Sequence, residues 1–356
     1  MHAPHLKAKN AKRRHDMSFQ MKSIFTYAAA VVMASLSYQA AAADVQERRM
    51  KFSYPVSQTN PVGMATNKFI EIVDKKTDGK FKITGYADAQ LGNEIQAMSS
   101  AQGGIIELTV VSTAGAANNV KELGIFDLPF LFQTVEEADA VIDGPVGKTL
   151  LDKFADKNLV GMCYWDYGFR QVTNSKHPIK NLEDFQGLKL RALQNSIYLD
   201  TFKALGANPL PLPYPETYTA LETKAIDGQE SAYLVTKSSG YQEIQKYLTE
   251  TKHVYLPAVV MASKRFWDRL SKDEQTILLD ACTESQAYHR QVSREMEKDV
   301  VKELIAAGLE FNTIEPNEKA RMVKATDAVT EKYKAALGAD LVDQALASIQ
   351  KVRAQQ

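Results

Sequence analysis

The chain is poor in the side chains that do metal and redox chemistry. Its 356 residues hold two cysteines and six histidines. Cys163 and Cys282 fit no metal-binding spacing, and each sits in an apolar or helical run. They are expected as two small buried hydrophobes, although a disulfide is open to them in an oxidising compartment. His2, His5 and His15 crowd the N-terminus, and His177, His253 and His289 share no ligand-like spacing. No metal site and no cofactor are therefore expected. There is no G-x-S-x-G nucleophile elbow. The loop from Gly144 to Thr149 ends in Gly-Lys-Thr, but a phosphate-binding loop needs a glycine where Ile142 stands. Net charge is also missing, because 43 Lys and Arg balance 43 Asp and Glu. Six of those basic residues and one acidic residue fall in the first 43 positions, so the rest of the chain is mildly acidic. Nucleic acid is not an expected partner. No apolar run reaches the roughly 20 residues of a membrane span.

What is there begins with a targeting pattern. Lys12, Arg13, Arg14 and Lys22 precede an apolar run from Ile24 to about Leu36, and the Ala-rich residues 40–43 supply an A-x-A cleavage site. Residues 1–43 are expected as a signal peptide with an N-terminal extension, translation starting at Met17 or Met21. No cysteine stands near the cleavage site for a lipid anchor. A free periplasmic protein beginning near Ala43 or Asp44 is expected.

The body alternates strand and helix patterns. Lys51 to Val56 and Phe81 to Tyr86 read as strands, and Ala65 to Lys76 as a helix with Phe69, Ile70, Ile72 and Val73 as its apolar set. A second helix after Gln90-Leu91-Gly92 ends near Gly103-Gly104, and a strand follows in ELTVV. This alternation predicts an α/β sheet with ligands at strand ends. Thr134 with Glu137, and Ser271 with Glu274, form capping-box patterns. Asp227-Gly228 reads as a helix stop that leaves Gln229, Glu230, Ser231 and Tyr233 on a loop, with Asp227 and Glu230 as structural partners. From Ser271 to Ala307 there is neither Gly nor Pro, and Tyr288, Val292, Met296, Val300 and Leu304 recur every four residues. Such a helix spans roughly 55 Å. It either bridges two domains or projects as an arm, and a break near Ser285 is open to it.

The stretch from Gly168 to Arg191, GFRQVTNSKHPIKNLEDFQGLKLR, is the most informative. It sets Arg170 and Arg191 in apolar or strand-like surroundings. A guanidinium at a strand end is awkward without an anion, and its planar fork suits a carboxylate. Otherwise such an arginine is a surface residue or half of an internal ion pair.

Five segments bear on that choice: Gln90-Leu91-Gly92 with Glu94, IFDLPFLF at Ile125 to Phe132, GFRQ, GLKLR, and AIDGQE at Ala225 to Glu230. In this order and spacing they resemble the extracytoplasmic solute receptors of TRAP transporters, the group often labelled C4-dicarboxylate-binding. The resemblance covers nearly the whole chain after the leader. It implies a two-lobed α/β binding protein with a long helix spanning both lobes, which favours the bridging helix. The expected lobes are residues 44–168 with 257–285, and residues 169–256 with 286–356. It implies a receptor rather than an enzyme, a small organic acid as ligand, and TRAP permease subunits as partners of an expected monomer. A sugar acid such as a uronate or aldonate is the competing ligand class, and a sensory partner of a membrane kinase the competing role.

By resemblance, Arg191 anchors the carboxylate, Arg170 touches the ligand or supports Arg191, and Tyr214 closes over it. Glu94 faces the cleft and accepts ligand hydroxyl hydrogens. Trp165 is a candidate wall. After DGQE the family's usual Asn-Pro is replaced here by Ser231-Ala232, so either Ser231 reaches a different group or Tyr233 takes over. Where sialic-acid receptors of this type carry an arginine after the QLG segment, this chain has Asn93, Glu94 and Ile95. That disfavours sialic acid.

Overall fold

A computed structural model describes residues 45–355. The expected signal peptide and its cleavage site lie outside the described residues. The first strands follow the predicted alternation: β1 (Arg48–Ser53), α1 (Pro61–Lys76), β2 (Phe81–Tyr86), α2 (Glu94–Gly103) and β3 (Leu108–Ser112). Asn60 accepts the Val62 N–H at 3.1 Å and Pro61 occupies the first turn, so α1 starts four residues earlier than its apolar stripe suggests. Strand β1 pairs parallel with both β2 and β3.

One strand organises the rest. Residues Leu159–Asn174 form β4, sixteen residues long and buried over most of its length. Leu159 to Phe169 pair antiparallel with β9 (Tyr255–Ser263), which in turn pairs with β3. At Arg170 the other edge of β4 picks up β7 (Gly228–Ala232). Strand β7 lies parallel to β5 (Lys189–Ala192), and β5 to β6 (Asn208–Pro211). Beyond the end of β9, β8 (Tyr247–Glu250) pairs with Val172–Asn174 and with β10 (Glu310–Thr313). The N-terminal two-thirds of β4 thus belongs to one half-sheet and its end to another. The handover is marked by Gly168, whose φ of +89° falls in a register shift between Asp166 and Gly168. A side chain at that φ is strained, and the bulge re-aims the strand just before Arg170.

Strand β7 corrects an expectation. Gln229, Glu230 and Ser231 are not on a loop; they are in a fully buried central strand. The preceding helix ends at Glu222 rather than at Asp227. GQESA carries no β-branched or aromatic residue, so only its pairing with β4 and β5 makes it a strand. Gly228 permits that pairing, because a Cβ there would stand 2.1 Å from the Thr173 carbonyl oxygen.

The remaining helices include α3 (Val135–Ile142), α4 (Ser196–Ala204), α5 (Tyr233–Ser238), α6 (Lys272–Ala306), α7 (Pro316–Leu337) and α8 (Ala339–Arg353). Helix α6 is unbroken over 35 residues and begins with the full Ser271–Glu274 capping box. It packs on α1 at one end and on α5 and β10 at the other, so it bridges the two half-sheets. Cys163 of β4 and Cys282 of α6 are joined in a disulfide, with Cα atoms 5.9 Å apart. The two buried thiols expected from sequence are therefore one cross-link, between residues that meet only in the fold.

The C-terminal helices return to the first half. Val329 and Leu337 of α7 and Val342, Ala345 and Ile349 of α8 join a core with Phe126, Phe154, Tyr164 and Met261. Glu137 of α3 accepts the Gln133 N–H at 2.7 Å and Arg353 Nε of α8 at 2.7 Å. No helix among the described residues is long and apolar enough to cross a membrane.

Candidate functional site

Strands β4, β5 and β7 lie side by side and carry Arg170, Arg191, Gln229 and Ser231 to the wall of one cavity. The space between its walls comes to about 400 Å³ with the adjoining open solvent included. Glu94, Ser112, Tyr167, Tyr214 and Tyr241 complete its polar lining, and Pro55, Val56, Leu193, Val235 and Leu256 its apolar one. A second hollow of about 390 Å³ adjoins it and shares Glu94, Arg191, Leu193 and Tyr214. A concave, largely apolar space with a few converging polar groups is the usual form of a small-molecule site.

Arg191 is 2 % exposed. Its Nε donates to the Leu212 carbonyl at 3.0 Å, and no other described residue accepts a hydrogen bond from its guanidinium. Both terminal nitrogens are free of partners among the described residues. Burial pulls its pKa down, Glu230 and Tyr241 oppose that, and the like charge of Arg170 adds to it. A buried cation with an open fork is stabilised by an anion held in two parallel hydrogen bonds.

Arg170 is differently placed. Its Nε donates to Glu230 Oε2 and its Nη2 to the Glu230 carbonyl oxygen. The guanidinium also lies over the Tyr198 ring, 5.7 Å from its centroid. Glu230 is wholly buried, and His253 Nε2 stands 3.2 Å from the same carboxylate oxygen. His253 Nδ1 in turn meets Thr251 Oγ1 at 2.7 Å. Burial alone would raise the Glu230 carboxyl; Arg170 and His253 override it and hold the carboxyl down at about 2. Nearby Asp127, bonded by Asn195 Nδ2 at 2.9 Å, goes the other way: burial pushes it up to about 8. Of these two carboxyls, Glu230 is thus held ionised beside Arg170, and Asp127 is left neutral at pH 7.

Glu94 opens α2 at the cavity edge. Its Oε1 accepts the Ser112 N–H at 2.8 Å and its Oε2 the Ser112 hydroxyl at 2.7 Å. Burial raises its pKa, and the Ser112 bonds and then the charges of Arg191 and Arg170 counter that. Tyr214 lies in a short 3-10 turn, with its hydroxyl 2.7 Å from Ser239 Oγ. Ser231 Oγ is 3.0 Å from Thr236 Oγ1.

Five of the seven residues singled out from sequence, Arg191, Arg170, Tyr214, Glu94 and Ser231, therefore line one cavity. The structure places Trp165 and Tyr233 away from it. Trp165 is buried in a stack with His289 of α6, ring centroids 6.0 Å apart. The Tyr233 ring packs with Leu248, Val300 and Leu304, and its hydroxyl donates to Glu250 Oε2 at 2.8 Å. Residue 233 starts a helix rather than continuing β7, which turns its side chain from the cavity. Two lining residues were not anticipated. Gln229 Oε1 and the Tyr167 hydroxyl are buried without a partner among the described residues, as polar atoms awaiting a ligand are. Once β7 is a strand, period-2 alternation puts Gln229 on the face of Ser231, a signal present in the sequence.

With this geometry in view, comparison with known proteins is decisive. Residues 52–336 match the model of the bacterial extracellular solute-binding proteins, family 7. The chain belongs to that family. The 2,3-diketo-L-gulonate-binding periplasmic protein YiaO of Escherichia coli is 34% identical over 264 residues, 74% of this chain and 80% of its own. Among solved structures, the sugar acid binding protein DctPAm of Advenella mimigardefordensis in complex with galactonate is 41% identical, with a TM-score of 0.85. The match covers 86% of this chain and 99% of that one. A TRAP periplasmic solute-binding protein of Sulfurospirillum deleyianum with bound succinate is 30% identical, with a TM-score of 0.81, over 85% of this chain and 100% of that one. The family 7 chain described here is thus a solute-binding receptor with the two-lobed α/β architecture of TRAP receptors. The family is one of receptors rather than enzymes.

Proposed function

We propose that this receptor captures a small organic acid in the periplasm by pairing its carboxylate with Arg191, and delivers it to a TRAP-type membrane permease. The carrying observation is the open guanidinium fork of Arg191, buried in the cavity with one internal hydrogen bond. Arg170 braces that end of the cleft as half of an ion pair, while Tyr214 covers the ligand and Glu94 and Ser231 meet its polar groups. Trp165 and Tyr233 stand behind the walls.

Capture works by closure about the β4 bulge near residue 168 and the start of β9 near residue 256, with α6 as the third crossing. The two bodies expected to move are residues 44–168 with 257–285 and residues 169–256 with 286–356, except that Val329 and Leu337 of α7 and Val342, Ala345 and Ile349 of α8 pack in the core of the first body. Helix α8, however, is fastened to the first body through Arg353 and Glu137. Closure removes water from the Arg191–carboxylate pair and so strengthens it. The sugar-acid relatives and the succinate-bound one bracket the ligand class.

The test is calorimetric titration of the mature chain, residue 44 onward, with galactonate, erythronate and succinate, beside Arg191→Ala. Truncating one partner of a buried charge pair costs about 2–5 kcal/mol. That is a loss of roughly 30-fold to several thousand-fold in affinity with the fold intact. A variant that binds within threefold of wild type shows that Arg191 is not the anchor.

A further inference from the structure

Two asparagines, one in each body, reach across to the other. Asn60 caps α1 in the first body, where its Oδ1 accepts the Val62 N–H at 3.1 Å. Its Nδ2 crosses to the second body and donates to Ser238 Oγ, at the end of α5, at 3.2 Å. Asn195 caps α4 in the second body, where its Oδ1 accepts the Ile197 N–H at 2.8 Å. Its Nδ2 crosses to the first body and donates to the Ala114 carbonyl at 3.1 Å and to Asp127 Oδ2 at 2.9 Å. Both asparagines are buried, at 2% and 6% exposure.

Capping alone does not call for asparagine, since serine and aspartate cap a helix about as well. Asparagine carries its acceptor and its donor on separate atoms. One side chain can therefore cap its own helix and bond the opposite body. Both crossings adjoin the ligand space. Val235, one helical turn before Ser238, lines the main cavity. Gln194 and Gly115, the chain neighbours of Asn195 and Ala114, line the second hollow. Neither asparagine lines either space.

We infer that Asn60 and Asn195 are clasps of the closed receptor, which set its affinity by holding the two bodies together without touching the ligand. The inference rests on the closure proposed above and names bonds that sustain it. Opening the cleft parts each donor from its acceptor and returns both to water, so the clasps stabilise the closed form alone. Whatever favours the binding-competent form raises the apparent affinity in proportion. One uncharged hydrogen bond is worth roughly 2- to 13-fold in that equilibrium.

Serine variants test it, because Asn60→Ser and Asn195→Ser keep a capping hydroxyl and lose the amide donor. Calorimetry with galactonate, erythronate and succinate should show a loss of about fivefold for Asn60→Ser. Asn195→Ser gives up two bonds and should lose about tenfold or more. Each acid that wild type binds should lose by the same factor, as expected of residues that do not contact it. Urea unfolding of the ligand-free variants should match wild type. Ser238→Ala removes one partner and leaves both caps alone. It should weaken binding as Asn60→Ser does, and the two changes together should cost no more than either alone. Affinities within twofold of wild type in both asparagine variants overturn the inference and leave Arg191 as the anchor. So does an affinity loss matched by an equal loss of ligand-free stability, which marks a merely structural role. If an asparagine variant does not fold, Ser238→Ala decides, and wild-type affinity there overturns the inference. If wild type binds none of the three acids, the carboxylate reading fails and takes the clasps with it.

Discussion

Replacing Glu230 by glutamine separates bracing from ligand capture. The substitution keeps the size of the side chain and removes the charge that balances Arg170. Both residues are buried, Glu230 at 0% and Arg170 at 3% exposure. Two routes give the size of the effect. Breaking one side of a buried ion pair typically costs 3–5 kcal/mol, because the other charge is left uncompensated. Independently, the Glu230 carboxyl is held at about 2 against an ordinary 4.5. At about 1.4 kcal/mol for each unit of pKa, that contributes about 3 kcal/mol. A carboxyl whose pKa is lower in the folded chain stabilises it fully above the unfolded value, and that stability is lost as pH falls through the folded one. Urea unfolding of Glu230→Gln should therefore show a loss of about 3 kcal/mol at pH 7. The gap from wild type should close between about pH 4.5 and pH 2, as the wild-type carboxyl takes up its proton. A variant as stable as wild type at pH 7, or a gap that stays constant through the acid limb, refutes the account of Glu230 as the counter-charge of Arg170.

Two further perturbations test the scaffold. The disulfide joins Cys163 and Cys282 across a sequence separation of 119. Replacing both cysteines by alanine should cost about 2–5 kcal/mol in unfolding experiments, and the doubly substituted chain should melt the same with or without reductant. Gly168→Ala forces a side chain to a φ of +89°. It should lose about 1–2 kcal/mol of stability and weaken acid binding as well, because the bulge sets the direction of Arg170; a variant with wild-type unfolding and affinity shows that the bulge does neither.

Short-range patterns in this chain were legible. The Ser271–Glu274 cap and the absence of Gly and Pro up to Ala307 marked α6 almost to the residue. The strand Phe81–Tyr86 has the bounds its alternation predicted. Arg170 and Arg191, twenty-one positions apart, do converge on one cavity. What stayed hidden was fixed by partners far along the chain. Strand β7 lacks the residue types of a strand and exists because β4 and β5 flank it. Glu230 read as a helix-end partner because its counter-ion is 60 positions away. Cys163 had an apolar neighbourhood that explained it without a bond. Tyr233 was misplaced by the same error as β7: a residue expected on that loop instead begins a helix, which sends its ring to another core.

The cross-link between β4 and α6 restricts how the molecule can move. Both of these elements run through both halves, and Cys163–Cys282 fastens them together on the side of the first. The helix cannot slip lengthwise past the strand to let one half glide over the other. Relative motion is left to twisting of the strand beyond its bulge and flexing of the helix beyond residue 282. Under the closure proposed above, a receptor built this way opens and shuts about a fixed pivot, so each capture returns the same two faces to the same alignment. A permease that must recognise the filled receptor by its outer shape is then offered two discrete outlines instead of a continuum.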